Sequence, residues 1–176
     1  KGFDFVHFNA EHLVTLDLRV SHDEDIPDNF VWPQFPKLRE LMISGSECLP
    51  ILLNSRNTLE KLSIEFIDFD SDYPSVVMPR LTDLHLLQVD NAFTSKICSS
   101  NHTSLEFFTL GETDLPNLDD GIKMERMRNV VLDDEYTGQD RERMTEMCPN
   151  AEVVILCREK RKEIYRDQDS RVETSH

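Results

Sequence analysis

Glycine-rich motifs, catalytic motifs and long apolar runs are all missing from this chain of 176 residues. It has only 5 glycines and neither a G-x-G-x-x-G nor a G-x-x-x-x-G-K-[ST] string, so nucleotide binding has no support. It also lacks the G-x-S-x-G elbow, and no cysteine has a recognisable histidine partner. No apolar run approaches the ~20 residues of a membrane-spanning helix. We therefore expect no catalytic residue, no cofactor and no membrane partner.

Basic charge is also scarce. The chain has 19 lysines and arginines against 34 aspartates and glutamates, which gives a formal charge of −15. Residues 158–176 are close to neutral, with six basic and five acidic side chains, so the acidic excess lies in the body before them. Because binding to phosphate backbones requires a basic surface, the net charge argues against nucleic acid and anionic membrane as partners.

The four cysteines form no C-x-x-C pair, so a zinc site is not expected. Each lies in or beside an apolar segment, which favours buried thiols in a reducing compartment and an intracellular protein of the cytoplasm or nucleus. Extracellular disulfides are the alternative, and Asn101-His102-Thr103 matches the short glycosylation pattern. The acidic string at 21–25 lacks the glycine and ligand spacing of a calcium loop, so we expect no metal.

A repeated apolar pattern is the main feature that is present. Seven segments share the spacing apolar-x-x-apolar-x-apolar, and their first positions lie 25, 21, 22, 24, 22 and 24 residues apart. In a strand, alternate side chains point to opposite faces, so the last two apolar positions of each segment would enter a shared core. The segments are LVTLDL (13–18), LRELMI (38–43), LEKLSI (59–64), LTDLHL (81–86), LEFFTL (105–110), MRNVVL (127–132) and AEVVIL (151–156).

The stretches between these segments predict a mixture of helices and loops. Helices are expected after the second, fourth and sixth segments, whereas proline and acidic clusters favour loops elsewhere. Ser46 and Thr137 are the predicted N-caps of the first and last helix. The side chains predicted to face the core are Leu49, Leu52 and Leu53 in the first helix, Phe93 and Ile97 in the second, and Met144 and Met147 in the third.

Across about residues 12–157 the chain resembles the leucine-rich-repeat superfamily, whose repeats of 20–29 residues begin with this same apolar spacing. The resemblance implies an α/β solenoid of about seven irregular repeats, with a parallel concave sheet and a mixed helix and loop convex side. It assigns 1–157 to the repeat domain and 158–176 to a charged tail. One role for the tail is a capping helix, in which Ile164 and Tyr165 would cover Val153 and Ile155.

The turn position three residues after each last apolar strand position has no run of asparagine or cysteine. This departure from the regular extracellular repeat favours the irregular intracellular types. The residues found there are Ser21, Ser46, Ile67, Val89, Thr113, Glu135 and Glu159.

The proline-bearing leads FPKL, MPRL and CPNA and the string NSRNTLEKLSI are similar to the repeats of F-box/leucine-rich-repeat proteins. Those proteins are substrate-recognition subunits of cullin-type ubiquitin ligases, so the resemblance implies a non-catalytic protein-interaction module. Contact with a ligase adaptor would go through an F-box, which these residues do not contain. FPKLREL-like strings are also common in plant nucleotide-binding immune receptors, so the repeat domain of an immune or signalling receptor is the alternative.

In this architecture the partner binds the outward positions of the concave strands, which the core does not need. The first three strands present mainly polar and charged residues there, and the later strands expose apolar ones. For Leu87 and Phe107, local packing under a loop is the alternative to partner contact. The candidate partner-binding residues are Asp17, Arg19, Glu40, Met42, Lys61, Glu65, Asp83, His85, Leu87, Phe107, Thr109, Asn129 and Val131.

Overall fold

A computed structural model describes residues 9–19, 30–67, 74–118 and 121–156. Within these ranges, seven strands form one sheet in which every neighbouring pair is parallel and the spatial order follows the chain. The predicted α/β class and parallel sheet are therefore confirmed. The strands are β1 (Thr15–Arg19), β2 (Glu40–Ser44), β3 (Lys61–Ile67), β4 (Asp83–Val89), β5 (Phe107–Gly111), β6 (Asn129–Leu132) and β7 (Glu152–Ile155).

The apolar positions of the sequence pattern lie in register across the sheet. Leu41 pairs with Leu16 on one side and Leu62 on the other, and the same relation continues strand by strand. Through β6 the predicted inward positions are buried or packed against one core, as the alternation requires. They are Leu16, Leu18, Leu41, Ile43, Leu62, Ile64, Leu84, Leu86, Phe108, Leu110, Val130 and Leu132.

The predicted register of the last segment is wrong by one residue. Val153 is 5% exposed and pairs with the core residue Val130, whereas Val154, predicted to point inward, is 36% exposed. Ile155, predicted to point outward, packs against the core. The run from 153 to 156 is apolar at every position, so it lacks the alternation that would have fixed the register.

In the described part of the chain, an α-helix follows each of β2, β4 and β6, as predicted. The helices are α1 (Pro50–Ser55), α2 (Asn91–Asn101) and α3 (Gly138–Met147). Thr137 caps α3 in a capping box with Asp140, as expected, and the Asp90 carboxylate accepts the Ala92 N–H of α2 at 2.7 Å. The side chains predicted to face the core from α2 and α3 do pack there: Phe93, Ile97, Met144 and Met147.

The first helix differs from its prediction. Ser46 does not cap it, because Ser46–Cys48 form a 3₁₀ turn and α1 begins only at Pro50. Leu49 and Leu52 are buried as expected, but Leu53 is 41% exposed. Since the 3₁₀ turn changes the helical phase, Ile51 takes the inward position that the 3.6-residue spacing gave to Leu53.

Proline shapes the turns that lead into three of the strands. Pro36, Pro79 and Pro149 each occupy the second position of a β-turn, where the fixed φ of proline is favoured. The closing hydrogen bonds run from Leu38 N to Phe35 O at 3.3 Å, from Leu81 N to Met78 O at 3.0 Å, and from Ala151 N to Cys148 O at 3.0 Å.

In α1 and α2, one asparagine bonds to the backbone of the connection that leads into the preceding strand. Asn101, at the end of α2, is 2% exposed; its amide oxygen accepts the Met78 N–H at 2.6 Å and its amide nitrogen donates to Val76 O at 3.0 Å. Asn54 donates in the same way to Trp32 O at 2.8 Å. Because the Asn101 amide nitrogen is buried and bonded, a glycan there is incompatible with this packing.

Four equivalent residues at the strand ends have positive φ. Gly45, Phe66, Gln88 and Glu112 each lie two residues after the last core position of their strand, with φ of 97°, 55°, 51° and 48°. Glycine adopts this conformation freely, whereas the other three are strained there. The chain therefore turns the same way at the ends of β2 to β5.

Cys48, Cys98 and Cys148 are buried, as the sequence indicated. Burial raises the pKa of the Cys148 thiol to about 12, and burial also raises the pKa of Cys98. Both thiols stay protonated and unreactive at neutral pH. Cys157, the tail 158–176 and the acidic string 21–25 lie outside the described residues.

Candidate protein-binding face

The face of the sheet opposite the core, here called the open face, is made by the alternate strand residues. They lie in three registered rows. The first row is Thr15, Glu40, Lys61, Asp83, Phe107, Asn129 and Glu152; the second is Asp17, Met42, Ser63, His85, Thr109, Val131 and Val154; the third is Arg19, Ser44, Glu65, Leu87 and Gly111.

All thirteen candidate residues occupy positions on this face. For Arg19 only the backbone position in β1 is described. The sheet therefore brings together residues that are up to 114 positions apart in the sequence, from Asp17 to Val131, on the face opposite the core. Their role in binding stays a prediction.

The first three strands give the open face a polar character. Lys61 Nζ lies 3.1 Å from Glu40 Oε1, with side-chain exposures of 57% and 45%. An ion pair this exposed contributes little to stability, at most about 1 kcal/mol. Asp17 on β1 is exposed, and Ser63 on β3 is half-buried. This part of the face is hydrated and carries charges of both signs.

An apolar cluster lies on the last three strands. The apolar patch consists of Phe107 on β5, Val131 on β6 and Val154 on β7, with Phe107 39% and Val154 36% exposed. Val131 and Val154 are direct register partners, and Phe107 is the diagonal neighbour of Val131. Neighbouring strands are ~4.8 Å apart, so these three side chains are within reach of one another.

Leu87 does not belong to that exposed patch. It points to the open face between Glu65 and Gly111, but it is only 9% exposed and lies outside the core cluster. The expectation that Leu87 is exposed for a partner is therefore wrong, and local packing is the better description. The sequence could not separate the two because alternation gives the direction of a side chain and not what covers it.

A cleft lies at the carboxyl ends of β4 to β6, away from the open-face rows. This cleft of about 840 Å³ is lined by Asp90, Thr113, Tyr136 and Asp140 among other residues. Asp90 caps α2, Asp140 completes the capping box of Thr137 at the start of α3, and Thr113 Oγ1 accepts the Val89 N–H at 3.0 Å and donates to Gly111 O at 3.0 Å. These three side chains thus stabilise the local helix starts and turns.

Tyr136 contributes the phenol of this cleft, and its hydroxyl donates a hydrogen bond to the Thr113 carbonyl. Burial raises the Tyr136 pKa, and the nearby carboxylates of Asp133, Asp114 and Asp140 raise it further. The phenol is therefore neutral at physiological pH. Among the described residues, the charged side chains that line the cleft are carboxylates and the single arginine Arg143.

Within the described ranges, no three histidine, cysteine, aspartate or glutamate side chains are grouped so as to hold a metal ion. None of the helices in those ranges has the length and apolar character needed to cross a membrane. Comparison with known proteins gives no match to a family model, to a curated protein or to a solved structure. Any functional argument must therefore come from the surfaces of the molecule itself.

Proposed function

We propose that this chain is a protein-recognition module of the leucine-rich-repeat type, and that its open face binds a segment of a partner protein. The observation that carries the proposal is the apolar patch of Phe107, Val131 and Val154. An exposed apolar cluster costs solubility, and on a hydrogen-bonded sheet it offers a preorganised surface for another protein.

The repeat assignment is supported by the way the strands follow one another. Each strand pairs with the next one along the chain, and equivalent strand residues are 21 to 25 positions apart. A stack of this kind buries one face of every strand in a common core and leaves the other face for binding. In a solenoid of this type the open face is concave.

The more specific form of the proposal is the substrate-recognition part of an F-box-type ubiquitin ligase subunit. The three proline-led turns before β2, β4 and β7 support it, since those leads carry the resemblance. In this role the open face would hold the substrate, and the adaptor would bind an F-box elsewhere in the protein. Cells in which Phe107→Ser replaces the native residue should then degrade the open-face partner more slowly.

The binding proposal can be tested without knowing the partner. A displayed library of random peptides is selected on the purified chain, and the affinities of the enriched peptides are measured for the native protein and for Phe107→Ser. Leu53→Ser is the matched control because Leu53 on α1 is 41% exposed, close to the 39% of Phe107, but lies away from the open face.

We expect Phe107→Ser to weaken binding by about tenfold or more, as for a central apolar contact, and Leu53→Ser to leave it unchanged. Both variants should keep the native unfolding midpoint within a few degrees. Equal losses in the two variants, or no loss at Phe107, would show that the open face is not the binding surface.

A further inference from the structure

Two carboxylates flank the apolar patch along the first row of the open face. Asp83 is the register partner of Phe107, and Glu152 lies two strands beyond Phe107, past Asn129. With ~4.8 Å between neighbouring strands, Asp83 and Glu152 are about 14 Å apart at the backbone. The apolar patch therefore has an acidic residue on each side.

Neither carboxylate forms an ion pair within the described residues. Asp83 accepts the Thr82 hydroxyl at 2.6 Å, and Lys61 on the neighbouring strand is held by Glu40 at 3.1 Å. Glu152 is exposed on β7. The open-face positions of β4 to β7 include no lysine or arginine. This half of the face thus combines an apolar centre with two carboxylates and no basic strand residue of its own.

That combination selects among partner segments. A purely apolar segment would cover Phe107 but would also desolvate the Asp83 carboxylate. Because such a segment offers no hydrogen bond or positive charge in place of the lost water, its binding would cost free energy. An acidic segment would add like-charge repulsion. A segment with basic side chains on both sides of an apolar one would cover the patch and neutralise both carboxylates.

From this geometry we infer that the partner segment has the pattern basic-x-apolar-x-basic and crosses the strands of β4 to β7 in an extended conformation. The inference rests on the proposed function of the open face. In an extended chain, residues i, i+2 and i+4 point the same way, and i and i+4 are about 14 Å apart. The two basic residues then reach Asp83 and Glu152 while the apolar residue contacts Phe107 and Val131.

The test uses labelled synthetic peptides and fluorescence polarisation at low and high salt. The probe contains the core Lys-Ser-Leu-Ser-Lys, and it is compared with Glu-Ser-Leu-Ser-Glu and with Ser-Lys-Leu-Lys-Ser, which has the same composition but closer lysines. The protein variants are the double substitution Asp83→Asn with Glu152→Gln, and the control Glu142→Gln, which removes one exposed carboxylate from α3.

We expect the first peptide to bind about tenfold tighter than the glutamate peptide, and to lose that advantage in the double variant and at high salt. It should also bind severalfold tighter than the peptide with close lysines, whereas Glu142→Gln should bind like the native protein. Thermal unfolding of each variant verifies that it is folded.

Equal binding of the lysine and glutamate peptides, an unaffected double variant, or no binding of any of the three peptides would overturn this inference. Those results leave the proposed function standing if Phe107→Ser still weakens the binding of library-selected peptides by about tenfold or more. Loss of that Phe107 dependence is the separate result that removes the proposed function itself.

Discussion

The two faces of the sheet follow different rules, and the neighbours Phe107 and Phe108 show the difference. Phe108 is 1% exposed in the core, whereas Phe107, one residue earlier on the same strand, is 39% exposed on the open face. Every strand presents leucine, isoleucine, valine or phenylalanine to the core. The open face instead changes from charged to apolar from β1 to β7, because core packing does not limit which residue types can occupy its positions.

The largest expected effect tests this contrast directly. Phe108→Ala should lower the free energy of unfolding by about 3–5 kcal/mol, since it leaves a cavity among fully buried side chains. Phe107→Ala should cost no more than about 1 kcal/mol, as for a surface position. Urea denaturation of the two variants measures both values.

Phe108→Leu is the companion variant if Phe108→Ala fails to fold, and its expected cost is smaller because most of the volume is kept. Similar costs for Phe107→Ala and Phe108→Ala would mean that the open face is covered in solution. That outcome would also remove the exposed patch on which the proposed function depends.

The second largest expected effect concerns a buried polar side chain, Asn101, on the core side of the sheet. Asn101→Ala should lower the free energy of unfolding by about 2–3 kcal/mol, because the Met78 N–H and the Val76 carbonyl lose their buried partner. Asn150 is the control: it follows α3, is exposed, and donates a single hydrogen bond to Glu125 O at 2.9 Å. Asn150→Ala should cost less than about 1 kcal/mol, and equal losses would contradict the role given to Asn101.

Leu87 is an exception to the difference between the two faces, because it points to the open face and is nonetheless buried. Leu87→Ala should cost about 1–2 kcal/mol, less than the 2–5 kcal/mol typical of a core position such as Leu84. Denaturation of Leu87→Ala beside Leu84→Ala measures the difference. A cost within about 0.5 kcal/mol of zero would place Leu87 among the exposed surface residues instead.

The sequence was sufficient for the strands and the helix positions because their signals are local and repeated. The apolar spacing recurs seven times, so each strand from β1 to β6 was placed with the right inward residues, and Thr137 carried its own cap signal. It failed where the local pattern was ambiguous. The apolar run of β7 fits either register, and the 3₁₀ turn before α1 places Ile51 instead of Leu53 against the core.

For the candidate site, the sequence predicts which residues point to the open face, but not how exposed each of them is. Alternation placed Phe107 and Val131 on the open face, but the exposure of Val154 depends on the register of β7. The buried asparagines were missed because their partners lie in another connection: Asn101 bonds residues 23 and 25 positions away. Such contacts depend on how the segments between the strands pack against one another, and the spacing of the apolar repeats does not determine that packing.

The smallest expected effect on stability concerns the positive-φ residue near the end of β3. Phe66 is 50% exposed and has a φ of 55°, a conformation that costs an L-residue roughly 1–2 kcal/mol. In an ordinary strand position valine is more stabilising than glycine. At residue 66 we expect the reverse order: Phe66→Gly should be about 1 kcal/mol more stable than Phe66→Val in urea denaturation, because glycine adopts positive φ without strain. If valine proved the more stabilising, residue 66 would be extended like the rest of β3. The turn shared with Gln88 and Glu112 would then not begin there.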